Sequence, residues 1–170
     1  MSVAREVSRG KAAGPDLGEL RPPEEIIPRL GAKPGVPVAR VGSVTVYDRP
    51  LQEASGSVAT SSLRLPLRLA ERKHMVILAW VLEPVDPGAL MRSLVRSSHP
   101  DGGIWIVTYK KEFERAGVPT WEGLLRAGLG AGWVDNKILS IGTTLQATRF
   151  VERRPGARSA SGGIRGRPNV

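Results

Sequence analysis

Eight consecutive apolar residues, Met75-Val-Ile-Leu-Ala-Trp-Val-Leu82, make the longest apolar run of the chain. A strand without alternation has to be covered on both faces, which predicts the central strand of a parallel sheet flanked by helices. Just after it, Leu90, Met91, Leu94 and Val95 recur at helical spacing, with Arg92 and Arg96 turned away from that stripe. Asp86 suits the N-cap of this helix and Pro87 its first position. Pro100-Asp-Gly-Gly103 then predicts a turn and residues 104–109 a second apolar strand. Strand, covering helix and strand make a βαβ unit with a right-handed crossover.

Beyond Lys110 and Lys111 a polar loop leads to Thr120, a suitable cap for a helix that buries Leu124, Leu125 and Leu129. Gly123, Gly128 and Gly130 each cost such a helix about 1 kcal/mol against alanine, so it depends on its packing. Residues 133–141 and 145–151 read as strands, joined by a connection short enough to require an antiparallel hairpin. Ahead of residue 75 the pattern weakens. Residues 36–41 read as a strand with 44–47 as a candidate extension, and 63–69 alternate as a strand whose Pro66 places it at an edge or bulge. Ile26, Ile27 and Leu30 form a short apolar cluster between prolines, fit to begin a helix or to dock. The expected fold class is a three-layer α/β domain, Rossmann-like, with a mainly parallel sheet closed by a C-terminal antiparallel hairpin.

Composition fits one globular domain: 170 residues, 41% hydrophobic and 24% charged. With no cysteine there is no disulfide framework, thiolate metal site or cysteine nucleophile. The net charge of +9 is unevenly placed, because residues 149–170 carry six basic side chains and one acidic. The expected organisation is a flexible segment 1–29, a domain 30–154 and a disordered basic tail 155–170, whose Gly, Ser and Arg content offers little apolar area to bury. Arg153, Arg154, Arg158, Arg165 and Arg167 are the candidate nucleic-acid contacts, since guanidinium forks match phosphate oxygens. RNA, DNA or an acidic protein are the partners such a tail would take. The bland alternative is a solvated, solubilising tail, and no aromatic residues are interleaved to stack on bases. The first residues lack the apolar core of a secretory signal, and the longest apolar run is too short to span a bilayer, so a soluble cytoplasmic protein is expected, with no membrane partner.

The succession of strand, helix, strand, helix and hairpin in the second half resembles class I S-adenosylmethionine-dependent methyltransferases. More narrowly, Leu30-Gly-Ala-Lys-Pro-Gly35, Val38-Ala-Arg-Val-Gly42, Val76-Ile-Leu-Ala-Trp80, Asp101-Gly-Gly-Ile-Trp-Ile-Val107 with Lys110-Lys111, and Arg149-Phe150-Val151 are similar to a bacterial domain family of unknown function. Its members are short Rossmann-like proteins related to those methyltransferases. The resemblance covers residues 30–154 and implies the fold, with S-adenosylmethionine as the cofactor of the parent group. The front half departs from it. A dinucleotide-type first strand ends in a glycine-rich turn that opens a helix, with an acid beyond the next strand. Here the strand ends Val41-Gly42-Ser43-Val44-Thr45, and Asp48 follows too soon to be that acid. The cofactor half reads as shortened, and no bound cofactor is the expectation.

Candidate chemistry is sparse. Glu83 and Asp86, just past the central strand, are the candidate catalytic acids, against the simpler reading of a solvated glutamate and a helix cap. Lys110, Lys111 and Trp121 are candidate ligand contacts on the same sheet edge, with Glu112 and Glu114 offsetting the positive charge. His74 and His99 belong to no metal-ligand spacing, read as surface or capping residues, and no metal site is expected. Gly128-Leu-Gly130-Ala-Gly132 lies at a helix end, the reverse of a phosphate-cradling order. Trp80 and Trp105 read as core, Trp121 and Trp133 as partly exposed. The resulting expectation is a non-catalytic binding or regulatory module whose tail contacts an anionic macromolecule. The alternatives are a small methyltransferase-like enzyme using S-adenosylmethionine and an oligomer-forming structural subunit, a homo-oligomer paired through its hairpin edge.

Overall fold

A computed structural model describes residues 14–154. Its elements are α1 (Pro23–Leu30), β1 (Val38–Val41), α2 (Asp48–Ser55), β2 (Val58–Ser61), β3 (His74–Trp80), α3 (Pro87–Ser97), β4 (Ser98–Tyr109), α4 (Trp121–Gly130), β5 (Trp133–Ser140) and β6 (Leu145–Glu152). The six strands form one sheet in the order β2-β1-β3-β4-β6-β5. β1, β2, β3 and β4 run parallel, while β6 is antiparallel to both β4 and β5. This is the expected α/β class, with the hairpin closing one side.

The unalternating strand divides its side chains between two cores. Val76, Leu78 and Trp80 face a cluster with Ile26, Ile27 and Leu30 of α1 and Leu51 of α2. Ile77 and Ala79 face Leu90, Met91 and Leu94 of α3 and Leu124 and Leu125 of α4. β4 repeats the division, sending Trp105 and Val107 to the first cluster and Ile104 and Ile106 to the second. Each fully buried aliphatic chain contributes about 1.5–3 kcal/mol, so the two layers are mutually dependent. The Trp105 indole also donates to the Leu30 carbonyl at 3.1 Å, which ties the end of α1 to the sheet.

Several expectations need correction. The segment placed outside the domain, 1–29, contains most of α1, because Ile26, Ile27 and Leu30 have a core to enter. Ahead of it, Leu20 bridges to Gly142 and the Arg21 amide donates to Ile141, so residues 17–21 lie along the hairpin. Residues 44–47 do not extend β1; they lead into α2, which with β2 lacked a clear sequence signal. α2 is only eight residues long and β2 exposes Ala59 and Thr60 at the sheet edge. Residues 63–69 are irregular, not a strand. Their leucines pack on the second cluster, while the Leu67 amide donates to Ser93 Oγ and that of Arg68 to Ser61 Oγ, partners a serine supplies around Pro66 as a neighbouring strand cannot. Residues 100–103 form an irregularity inside β4, where a Cβ on Gly102 would come within 2.8 Å of the Met75 carbonyl. The tail 155–170 lies outside the described residues.

Asp86 and Thr120 cap α3 and α4 as their positions predict, accepting from the amides of Ala89 at 2.8 Å and Gly123 at 3.0 Å. Gly128 has a packing role that its helix-end position did not suggest: a Cβ there would meet the Phe150 ring at 2.7 Å, and Phe150 is fully buried. Gly128→Ala is expected to destabilise by about 1–3 kcal/mol through overpacking, although alanine favours a helix by about 1 kcal/mol. Urea unfolding of the two proteins checks the sign.

Candidate functional site

Open α/β sheets bind ligands outside the carboxyl ends of their strands, where the strand order reverses. β1 leads outward to β2 and β3 leads the opposite way to β4, so the reversal here is the crevice between the ends of β1 and β3. In the dinucleotide fingerprint the second glycine admits the ligand and the third lets helix and strand pack closely. Counting from Gly42, those positions are Val44 and Tyr47, both buried at 6% and 2% exposure. Gly42 itself has φ +109°, and a Cβ would lie 2.7 Å from the Trp80 carbonyl.

The rest of the crevice is engaged internally. The Tyr47 ring packs on Trp80 with centroids 5.6 Å apart, and its hydroxyl donates to the Arg21 carbonyl at 2.8 Å. Ser43 Oγ donates to Glu83 at 2.8 Å, joining the strand ends. Asp48 pairs with Arg40 at 3.0 Å, and Arg40 also donates to the Gly42 carbonyl. About twenty residues beyond the first glycine, where an acid would hold a ribose, stand Ser61 and Ser62. The fingerprint also has a further strand outside the second, whereas β2 is the sheet edge here. Val44 and Tyr47 occupy the positions of the second and third fingerprint glycines, and their packing narrows this crevice.

The candidate acids have structural engagements: Glu83 accepts from Ser43, and Asp86 caps α3. Lys110, Lys111 and Trp121 instead come together around a cavity of about 320 Å³ beyond the end of β4, with Glu112, Glu114, Glu122, Ile138 and Gln146 completing its wall. The Trp121 indole nitrogen is enclosed with no hydrogen-bond acceptor. None of the five charged side chains makes an ion pair among the described residues. Sequence reasoning missed the participation of Ile138 and Gln146, which reach this place only through the β5–β6 pairing and the antiparallel contact of β6 with β4.

The basic candidates divide. Arg154 donates to the Pro100 carbonyl at 2.7 Å and pairs with Asp101 at 2.6 Å, while the Arg153 side chain is exposed. Arg158, Arg165 and Arg167 lie outside the described residues. His74 corrects the surface expectation: it is buried, its Nδ1 lies 3.2 Å from the Ser97 carbonyl, and desolvation lowers its pKa. His99 accepts from the Asp101 amide. Trp133 is likewise buried, at 4% exposure, because α4 covers the start of β5. Among the described residues no three His, Asp or Glu side chains group as metal ligands, and no helix is long and apolar enough to cross a membrane.

Neither a family model nor a curated protein matches the sequence. Solved structures do. A SAM-dependent methyltransferase from Aquifex aeolicus superposes with a TM-score of 0.58 at 20% identity, covering 83% of this chain and 95% of that one. An S-adenosylmethionine-dependent methyltransferase from Mesorhizobium loti gives 0.55 at 12% identity, covering 72% and 95%. The chain has the class I methyltransferase fold. At these identities the likeness speaks for the fold alone, and the methyltransferase-like sheet holds a crevice closed by its own side chains.

Burial raises the Tyr47 pKa to about 12, with Arg21 opposing and Glu25 adding to the shift. The folded value lies above the unfolded one, so this contribution to stability is present below pH 10 and is lost as pH rises toward 12. Tyr47→Phe is expected to flatten the fall in melting temperature over that window, checked by thermal unfolding of both proteins in alkaline buffers.

Proposed function

We propose that the chain is a non-catalytic binding module of the methyltransferase fold, one that takes its ligand at the carboxyl edge of β4 and not in the adenosyl crevice. The observation that carries this reading is the burial of Val44 and Tyr47 at the positions where a cofactor-binding turn has glycines. A packed valine and tyrosine leave no room for a phosphate or carboxylate against the backbone, and withdrawing either from its cluster forfeits roughly 1.5–3 kcal/mol of burial. The engaged states of Glu83 and Asp86 agree with it. As a second component of the same reading, the basic segment beyond Arg153 contacts an anionic macromolecule through guanidinium groups.

The second reading is a small S-adenosylmethionine-dependent methyltransferase. The likeness to solved methyltransferases across 95% of their chains favours it over the first on fold grounds. It requires the Tyr47–Trp80 contact and the Ser43–Glu83 bond to open for the cofactor.

Calorimetric titration with S-adenosylmethionine separates the two. The binding-module reading expects no saturable heat at millimolar ligand; a one-to-one isotherm abolished by a bulky residue at Ser43 overturns it in favour of the enzyme. For the tail, removal of residues 155–170 is expected to weaken RNA binding and to flatten its dependence on salt concentration, and unchanged affinity and slope overturn that component.

A further inference from the structure

The cavity beyond β4 has a chemical character that narrows its ligand. Two ammonium groups, Lys110 and Lys111, and three carboxylates, Glu112, Glu114 and Glu122, surround about 320 Å³ without ion-pairing among the described residues. Trp121 lines the same wall, and its indole nitrogen is sealed from solvent with no acceptor. Trp121 is also the first residue of α4, whose positive N-terminal end favours an anionic group there. The wall has an apolar part as well, the Trp121 ring and Ile138, a large hydrophobic side chain left 46% exposed. Thr108 pairs with Gln146 and Thr148 with Ile138, and both threonine hydroxyls are buried without partners beneath these lining residues.

We infer that this cavity binds a small zwitterion of the amino-acid type, one carboxylate and one ammonium on an apolar body. A simple anion would satisfy the lysines but face three carboxylates. A simple cation would satisfy the carboxylates but face two ammonium groups. A zwitterion engages both sets, its carboxylate toward the lysines and the N-terminal end of α4 and its ammonium toward the glutamates, with the apolar body against Ile138 and the Trp121 ring. The volume matches the lower end of small-molecule sites. The inference deepens the binding-module reading by giving the ligand its class.

The test uses the full chain labelled with ¹⁵N, following its tryptophan indole signals during titration with L-phenylalanine, 3-phenylpropionate and phenethylamine. Trp121→Phe assigns the relevant signal and preserves ring packing. L-phenylalanine is expected to shift the Trp121 signal saturably and to leave those of Trp80 and Trp105 in place, with the two singly charged probes at least about fivefold weaker. Replacing Glu112, Glu114 and Glu122 together by glutamine, all on exposed positions, is expected to weaken L-phenylalanine about fivefold and not to weaken 3-phenylpropionate. No shift at Trp121 with L-phenylalanine, or equal binding of either singly charged probe, overturns the inference. Failure of the binding-module reading shows elsewhere, as a shift of Trp80 on adding S-adenosylmethionine.

Discussion

β3 is apolar on both sides, and covering both sides is the constraint from which the remaining architecture follows. Val76, Leu78 and Trp80 need α1 and α2, while Ile77 and Ala79 need α3 and α4. Neither helical layer is long enough to persist alone: α1 and α2 are eight residues each, and α4 carries three glycines. Sheet and helices therefore form as one cooperative unit. The Trp105–Leu30 hydrogen bond and the tight seat of α4 on Phe150 show how closely the layers fit.

The same packing decides what the methyltransferase fold can do in this chain. With β2 at the edge of the sheet among the described residues, Val44, Tyr47 and Trp80 fill the front half at the ends of β1 and β3. Core formation thus draws on the same crevice in which open α/β sheets bind ligands. At the other end of the carboxyl edge the pressure is absent. There the connection from β4 to α4 leaves the sheet, and its charged residues stand around open space with an unpaired indole donor. The carboxyl edge of the sheet thus holds a packed crevice between β1 and β3 and an open cavity beyond β4.

The elements with strong local patterns were readable from the chain in advance. Asp86-Pro87 and Thr120 announced α3 and α4, because capping is chemistry within a few residues of sequence, and the run from Met75 announced a strand covered on both faces. The failures were also physical. α2 and β2 are short and exposed, so they carry little periodic signal, and the alternating leucines of 63–69 imitate a strand although Pro66 and serine side chains hold them in an irregular path. His74 read as a surface or capping residue and Trp133 as partly exposed because their burial depends on how helices and strands pack around them, which the local pattern does not show. Lys110, Lys111 and Trp121 were identifiable as polar or aromatic residues at the sheet edge where they line a cavity; Ile138 and Gln146 were not, since the pairings of β5 and β6 bring them there.

By itself, then, the sequence determined the α/β class, the two capped helices, the terminal hairpin and the absence of thiol chemistry, all of which depend on short-range pattern or on residue type. Tertiary structure alone decided that α1 belongs to the core, that the first turn is filled by Val44 and Tyr47, and that five unpaired charges share one cavity. Those facts depend on which distant side chains reach the same space and exclude water from it, and a linear pattern of apolar and polar residues does not encode that.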